Sequence, residues 1–92
     1  MGLDMMDIVF RLERRFGVRL EIANFDHLRD PRRTDLTAGE LFDVVSSSIQ
    51  AVGRPVPANC WNGVRLELAK VLYVSPLGIR RESRLSGDLG MS

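Results

Sequence analysis

A chain of 92 residues is long enough for one hydrophobic core and too short for two, so one domain spanning residues 1–92 is expected. Apolar residues make up 45% and charged residues 27%, which excludes a disordered or fibrous class. The formal net charge of +1, from 13 cations against 12 anions, leaves no field strong enough to gather nucleic acid or an anionic membrane.

Met5, Val9, Leu12 and Phe16 recur at helical spacing, with Met6 and Ile8 widening the stripe, and predict an amphipathic helix from Leu3 to Phe16. Asp4 and Asp7 fall in its first turn and Arg14 and Arg15 in its last, each where the helix dipole favours that charge. Gly17 follows as a left-handed cap. Val18, Leu20 and Ile22 alternate with Arg19, Glu21 and Ala23, a strand pattern. A lone strand has nothing to pair with, so an extended link laying its apolar side on a bundle is the better reading. One or two helical turns are expected between Asn24 and Asp30, before Asp30-Pro31-Arg32-Arg33 breaks the chain.

Thr37 and Glu40 have capping-box spacing, and Leu36 and Leu41 stand where a hydrophobic staple would place them, so a second helix begins at Thr37. Leu41, Val44, Val45, Ile49 and Val52 form its buried face, and Gly53 with Pro55 ends it. Arg54 to Ala58 reads as a tight linker. Asn59 then caps a third helix that runs to Val74, with Trp61, Val64, Leu68, Val71 and Leu72 at helical spacing, Leu66 at the margin and Pro76 stopping it by Ser75. Leu77, Ile79, Leu85 and Leu89 lack a sustained period and suit an ordered loop laid over a core. The predicted core is Val9, Leu12, Phe16, Leu41, Val45, Ile49, Val64, Leu68, Val71, Ile79, Leu85 and Leu89.

The single cysteine, Cys60, excludes an intramolecular disulfide framework and a cysteine-built zinc site, and makes the cytoplasm the expected compartment. A helix start beside it would lower its pKa, yet with no suitably placed histidine a nucleophilic role is not expected. His27, without a second histidine or thiolate, reads as a surface residue and no metal site is expected. Apolar runs of a few residues do not make a membrane span, Met1-Gly2-Leu3-Asp4 lacks a secretory pattern, and Met6 stands where a myristoylation signal wants Ser or Thr. Twelve of the 13 cations are arginine, which suits bidentate pairing with carboxylates or phosphates; base composition explains the bias equally well. Met5, Met6 and Phe10 read as plain core, with the lining of an acyl pocket as the alternative. Arg11, Arg14 and Arg15 read first as a solvated helix face and second as a contact for a phosphate or an acidic partner. Trp61 is expected as a core anchor facing the first helix.

Leu72-Tyr73-Val74, Pro76, Ile79, Glu82-Ser83, Leu85 and Asp88-Leu89-Gly90 occur in one order. They resemble the first half of an acyl carrier protein, whose first helix ends near Leu-Gly-Val and is followed by Pro, Ile, Glu-Ser, Leu and Asp-Leu-Gly before the attachment serine. Leu3-Asp4, Asp7, Val9, Leu12-Glu13 and Phe16 resemble that family's second helix, and Leu36-Thr37 the start of its last. Residues 59–92 thus take the family's first half and residues 3–52 its second, covering about three quarters of the chain in inverted order.

The resemblance implies an all-α, acyl-carrier-protein-like bundle of three or four helices, circularly permuted, with the chain cut at the prosthetic-group position. It implies a non-enzymatic carrier that presents an acyl group on a 4'-phosphopantetheine arm to enzymes of fatty-acid or polyketide type synthesis. If Ser92 were joined to Gly2, Gly2 would take the serine slot and Ser92 the preceding one, so Ser92, Gly2 and Leu3 are the arm-binding candidates. Partner enzymes would dock on the first helix through Asp4, Asp7, Arg11, Arg14 and Arg15, where the arginines offset the acidity usual in the family. The alternative is a degenerate carrier fold without the arm, acting as a protein–protein interaction module. Either a monomer or a domain-swapped dimer would close the fold, the latter if the chain is cut from a longer one.

Overall fold

A computed structural model of the chain describes residues 3–20, 36–85 and 87–90, without the side chains of residues 3–5. Three helices, α1 (Leu3–Phe16), α2 (Ala38–Ala51) and α3 (Cys60–Leu72), precede a short 3-10 turn at Pro76–Gly78. No strand occurs among the described residues; a single antiparallel bridge joins Thr37 to Arg84. The all-helical class is as expected, while the short helix expected between Asn24 and Asp30 lies outside the described residues.

α1 keeps its predicted limits, and Gly17 ends it at φ 64°, donating its N–H to the Glu13 carbonyl at 2.8 Å. Its buried face is turned from the predicted one. Leu12 is fully buried as predicted and Ile8 with it, Val9 and Phe16 are only half-buried, and Met6 and Phe10, expected in the core, are 58% and 61% exposed. Val18 and Leu20 are buried just after the helix, outside any regular element, with Arg19 exposed between them, as an apolar link on a bundle requires. The linker before α3 reaches back to this end: Arg54 Nη2 donates to the carbonyls of Phe16 and Gly17, each at 3.0 Å, satisfying acceptors that the helix itself leaves unpaired.

α2 begins as its capping box directs. Glu40 N–H donates to Thr37 Oγ1 at 3.2 Å and Thr37 N–H to Glu40 Oε1 at 3.0 Å. The next free donors of this first turn are taken by the carboxyl-terminal segment: Ala38 N–H by the Ser83 carbonyl at 2.9 Å and Gly39 N–H by the Arg81 carbonyl at 2.8 Å. Leu85 N–H donates in turn to the Leu36 carbonyl at 2.8 Å. Leu41, Val44, Val45 and Ile49 are buried as predicted, and the buried Ser48 hydroxyl donates to the Val44 carbonyl at 2.8 Å. Val52, predicted on the buried face, is 60% exposed because the helix has already stopped at Ala51 and Gly53 turns away at φ 79°.

α3 packs against α1, α2 and the 3-10 turn, burying Cys60, Val64, Leu68 and Val71. Asn59 precedes it without a side-chain cap; its ψ of 15° is not the extended cap geometry that Thr37 has. The helix ends two residues earlier than predicted, at Leu72, because Tyr73 takes the left-handed conformation (φ 56°, ψ 44°) before Pro76 is reached. Ile79 and Leu85 are buried and Leu89 is half-buried against the same core as Ile8 and Leu12, so the ordered segment lies over the bundle.

At Gly39 a Cβ would stand 2.8 Å from the Arg81 carbonyl oxygen, a main-chain atom with no room to swing aside. Helix propensity alone favours Gly39→Ala by about 1 kcal/mol. The structure reverses the sign: urea unfolding should show a loss of about 1–3 kcal/mol, the ordinary cost of overpacking.

Candidate functional site

Glu67 lies on the α1 side of α3, its side chain 7% exposed. A carboxylate so far from water requires compensation. Arg15 Nη1 donates to its Oε2 at 3.0 Å, Lys70 Nζ lies 3.5 Å from the same oxygen, and Arg11 Nη1 lies 4.0 Å from Oε1. α1 comes close enough because Gly63, one helical turn before Glu67, has no side chain: a Cβ there would stand 2.8 Å from both Arg15 Nε and Phe16 Cζ. Arg11 also pairs with Asp7 one turn earlier, Nε to Oδ1 at 3.1 Å, so one ladder of charges joins Asp7, Arg11, Glu67, Arg15 and Lys70. Arg11 and Arg15 stay exposed, as a solvated face requires, but both also turn toward a buried carboxylate that the sequence reading did not single out. Arg14, on the far side of α1, is exposed.

Met6, Phe10 and Arg14 recur at every fourth residue and form a ridge on the outer face of α1, opposite Ile8. Neither a core role nor the lining of a closed acyl pocket fits Met6 and Phe10 at this exposure. Of the arm-binding candidates, Ser92 and Gly2 lie outside the described residues, and Leu3 opens α1 with its side chain outside the description. Asp4 follows within the first turn, its side chain likewise outside the description, and His27 lies outside the described residues.

Toward Ser92 the chain makes a tight turn. Arg84 donates its backbone N–H to Asp88 Oδ2 at 2.8 Å and its Nη2 lies 3.4 Å from Oδ1, while Gly90 leaves the turn at φ 78°. The Arg84 N–H first, and its guanidinium second, hold the Asp88 carboxyl below the usual aspartate range. The folded-state value is thus the lower one, so this turn contributes its stability above the ordinary aspartate pKa and loses it as pH falls through the depressed value.

Cys60 is 1% exposed, and burial raises its thiol pKa, the reverse of the lowering that a helix start was expected to cause. Trp61 does not face α1. It meets Phe42 of α2 edge to face, with ring centroids 5.7 Å apart, on the other flank of α3. Among the described residues no three His, Cys, Asp or Glu side chains gather to hold a metal ion, and no helix is long and apolar enough to cross a membrane. Compared with family models, curated proteins and solved structures, the chain matches none.

Two outcomes follow from this geometry. Glu67→Gln keeps the shape but removes the charge that Arg15 bonds; because Arg15 is 34% exposed and can be rehydrated, the expected loss in urea unfolding is about 1–3 kcal/mol. A change under about 0.5 kcal/mol would mean that solvent screens the pair. Cys60 in the native chain should react with a thiol reagent at neutral pH at least about a hundredfold more slowly than in denaturant, since the thiolate is disfavoured and access needs opening of the core.

Proposed function

We propose that the chain is a carrier-type protein, similar to an acyl carrier protein with its halves exchanged, that works by docking the outer face of α1 onto partner enzymes. The observation that carries this reading is a shared core: Ile8 and Leu12 from one end of the chain and Ile79 and Leu85 from the other belong to one buried cluster, with Leu89 packed against it. Ends that bury their apolar stripes together are what a bundle opened at the prosthetic-group position requires. Tyr73 adds support, because it takes the left-handed conformation at the place where the family pattern has glycine. The ridge of Met6, Phe10 and Arg14 leaves apolar surface and one cation free for a partner on the helix that would be recognised.

The arm, when attached, supplies a thiol that holds an acyl group as a thioester. Of the two residues at the opening, Ser92 has a hydroxyl that a phosphodiester can be built on, and Gly2 has no side chain. The donor chemistry therefore fits the arm at Ser92. The interaction-module reading is favoured by the exposed ridge itself, which can dock whether or not an arm is present.

Intact mass after incubation with a phosphopantetheinyl transferase and coenzyme A tests the carrier reading. One arm should add, at Ser92, and Ser92→Ala should abolish it; Phe10→Ser should slow loading without altering the far-ultraviolet circular dichroism. An unchanged mass would remove the carrier role and leave the interaction module, and addition at any other residue would remove Ser92 as the site.

A further inference from the structure

Trp61 and Arg65 stand two residues to either side of Gly63, roughly 200° of helical rotation from the side of α3 that receives α1. There Trp61 and Phe42, both half-buried, form a corner, and the Arg81 guanidinium carbon lies over both rings, 4.9 Å from the Phe42 centroid and 5.5 Å from that of Trp61. Arg65 lies over Trp61 as well, at 5.7 Å. The placement of Arg81 is set from two sides, since its carbonyl accepts from Gly39 N–H and its head rests on Phe42, one turn further along α2.

A guanidinium resting on an aromatic ring is attracted to the ring while the N–H groups at its rim stay available. Among the described residues no carboxylate lies within ion-pair distance of Arg81 or Arg65. Arg65 Nη2 bonds Asn62 Oδ1, but its Nε is buried without a hydrogen-bond partner. Arg81 thus contrasts with Arg15, Arg54 and Arg84, whose guanidinium groups all have oxygen partners. The exposed Arg81, with no carboxylate partner among the described residues, and the cationic head of Arg65 on a tryptophan form the arginine and tryptophan composition that dominates protein–protein contact energy. A small anion would meet the charges and leave the rings uncovered, whereas a peptide carrying carboxylates beside apolar side chains covers both.

We propose that Trp61, Phe42, Arg65 and Arg81 form a docking surface for an acidic segment of a partner protein. The surface lies on the flank of α3 away from α1 and does not rest on the carrier reading.

Trp61 is the one tryptophan of the chain, so its emission reports on the surface directly. The whole protein is titrated with a short peptide of glutamate and leucine, with its glutamine–leucine counterpart, and with inorganic phosphate. The glutamate peptide should shift Trp61 emission saturably and less tightly as salt is raised, and the glutamine peptide should not. Arg81→Met, which still packs on the rings, should weaken binding by about tenfold, with Arg81→Lys between the two. Amide and indole shifts of the unmodified protein should move at Phe42, Trp61, Arg65 and Arg81 and not along α1, a readout that stands even if a variant fails to fold. No saturation, an equal response to the glutamine peptide, unweakened binding in a folded Arg81→Met, or the same response to phosphate at equal concentration would each overturn the proposal.

Discussion

One buried carboxylate sets how α1 lies on the bundle. Glu67 is almost out of water and its charge is met by Arg15 at 3.0 Å, with Arg11 and Lys70 further out. Rolling α1 to hide Met6 and Phe10 would carry Arg15 and Arg11 away from Glu67 and leave only Lys70 of its own helix beside it, a cost that opposes the gain from burying two apolar side chains. The exposed apolar ridge is thus a consequence of the ion pair, held in register by the close approach that Gly63 allows. Arg54, bonding the last carbonyls of α1 from the linker that follows α2, pins the same carboxyl-terminal end of the helix that Arg15 holds.

A second constraint acts at the start of α2. Its first N–H donors are used by Thr37 and by the carbonyls of Ser83 and Arg81, so the positive end of this helix is closed by the chain's own carboxyl-terminal segment. That closure keeps an irregular segment ordered where no sustained helix or strand does so, and it carries Ile79 and Leu85 into the core. It also holds Arg81 against Phe42 and Trp61. The same hydrogen bonds that finish the fold therefore present a charge to solvent in a fixed place.

α3 separates two surfaces of different chemistry. On its α1 side the arginines are spent on Glu67, and what α1 offers outward is mainly apolar. On the opposite flank the arginines rest on rings with donors left over. One small bundle thus carries an apolar face and a cationic face, and both the carrier reading and the interaction-module reading proposed above rest on surfaces of this kind.

Much of the fold was legible along the chain, because local chemistry acts over one or two turns. Thr37 and Glu40 marked the start of α2, Gly17 the end of α1, and the helical spacing of Leu41, Val45, Ile49, Val64 and Leu68 the buried faces. What failed was decided between elements. Leu12 is buried as its spacing predicts, but Ile8, at the margin of the predicted stripe, is buried more fully than Val9 and Phe16, and hydrophobic pattern does not choose between these neighbours; pairing of Arg15 with a glutamate 52 residues away favours the Ile8 side. Cys60 beside a helix start reads as activated until the core closes over it. Trp61 was misdirected for the same reason, since its partners Phe42 and Arg81 come from other parts of the chain. By itself the sequence determined three helices, the cap that starts α2, the glycine that ends α1 and most of the core, because those depend on neighbours within a few residues. Only the tertiary structure decided which arginines are spent and which are free, because that depends on whether a carboxylate from elsewhere in the chain comes within about 4 Å of each guanidinium.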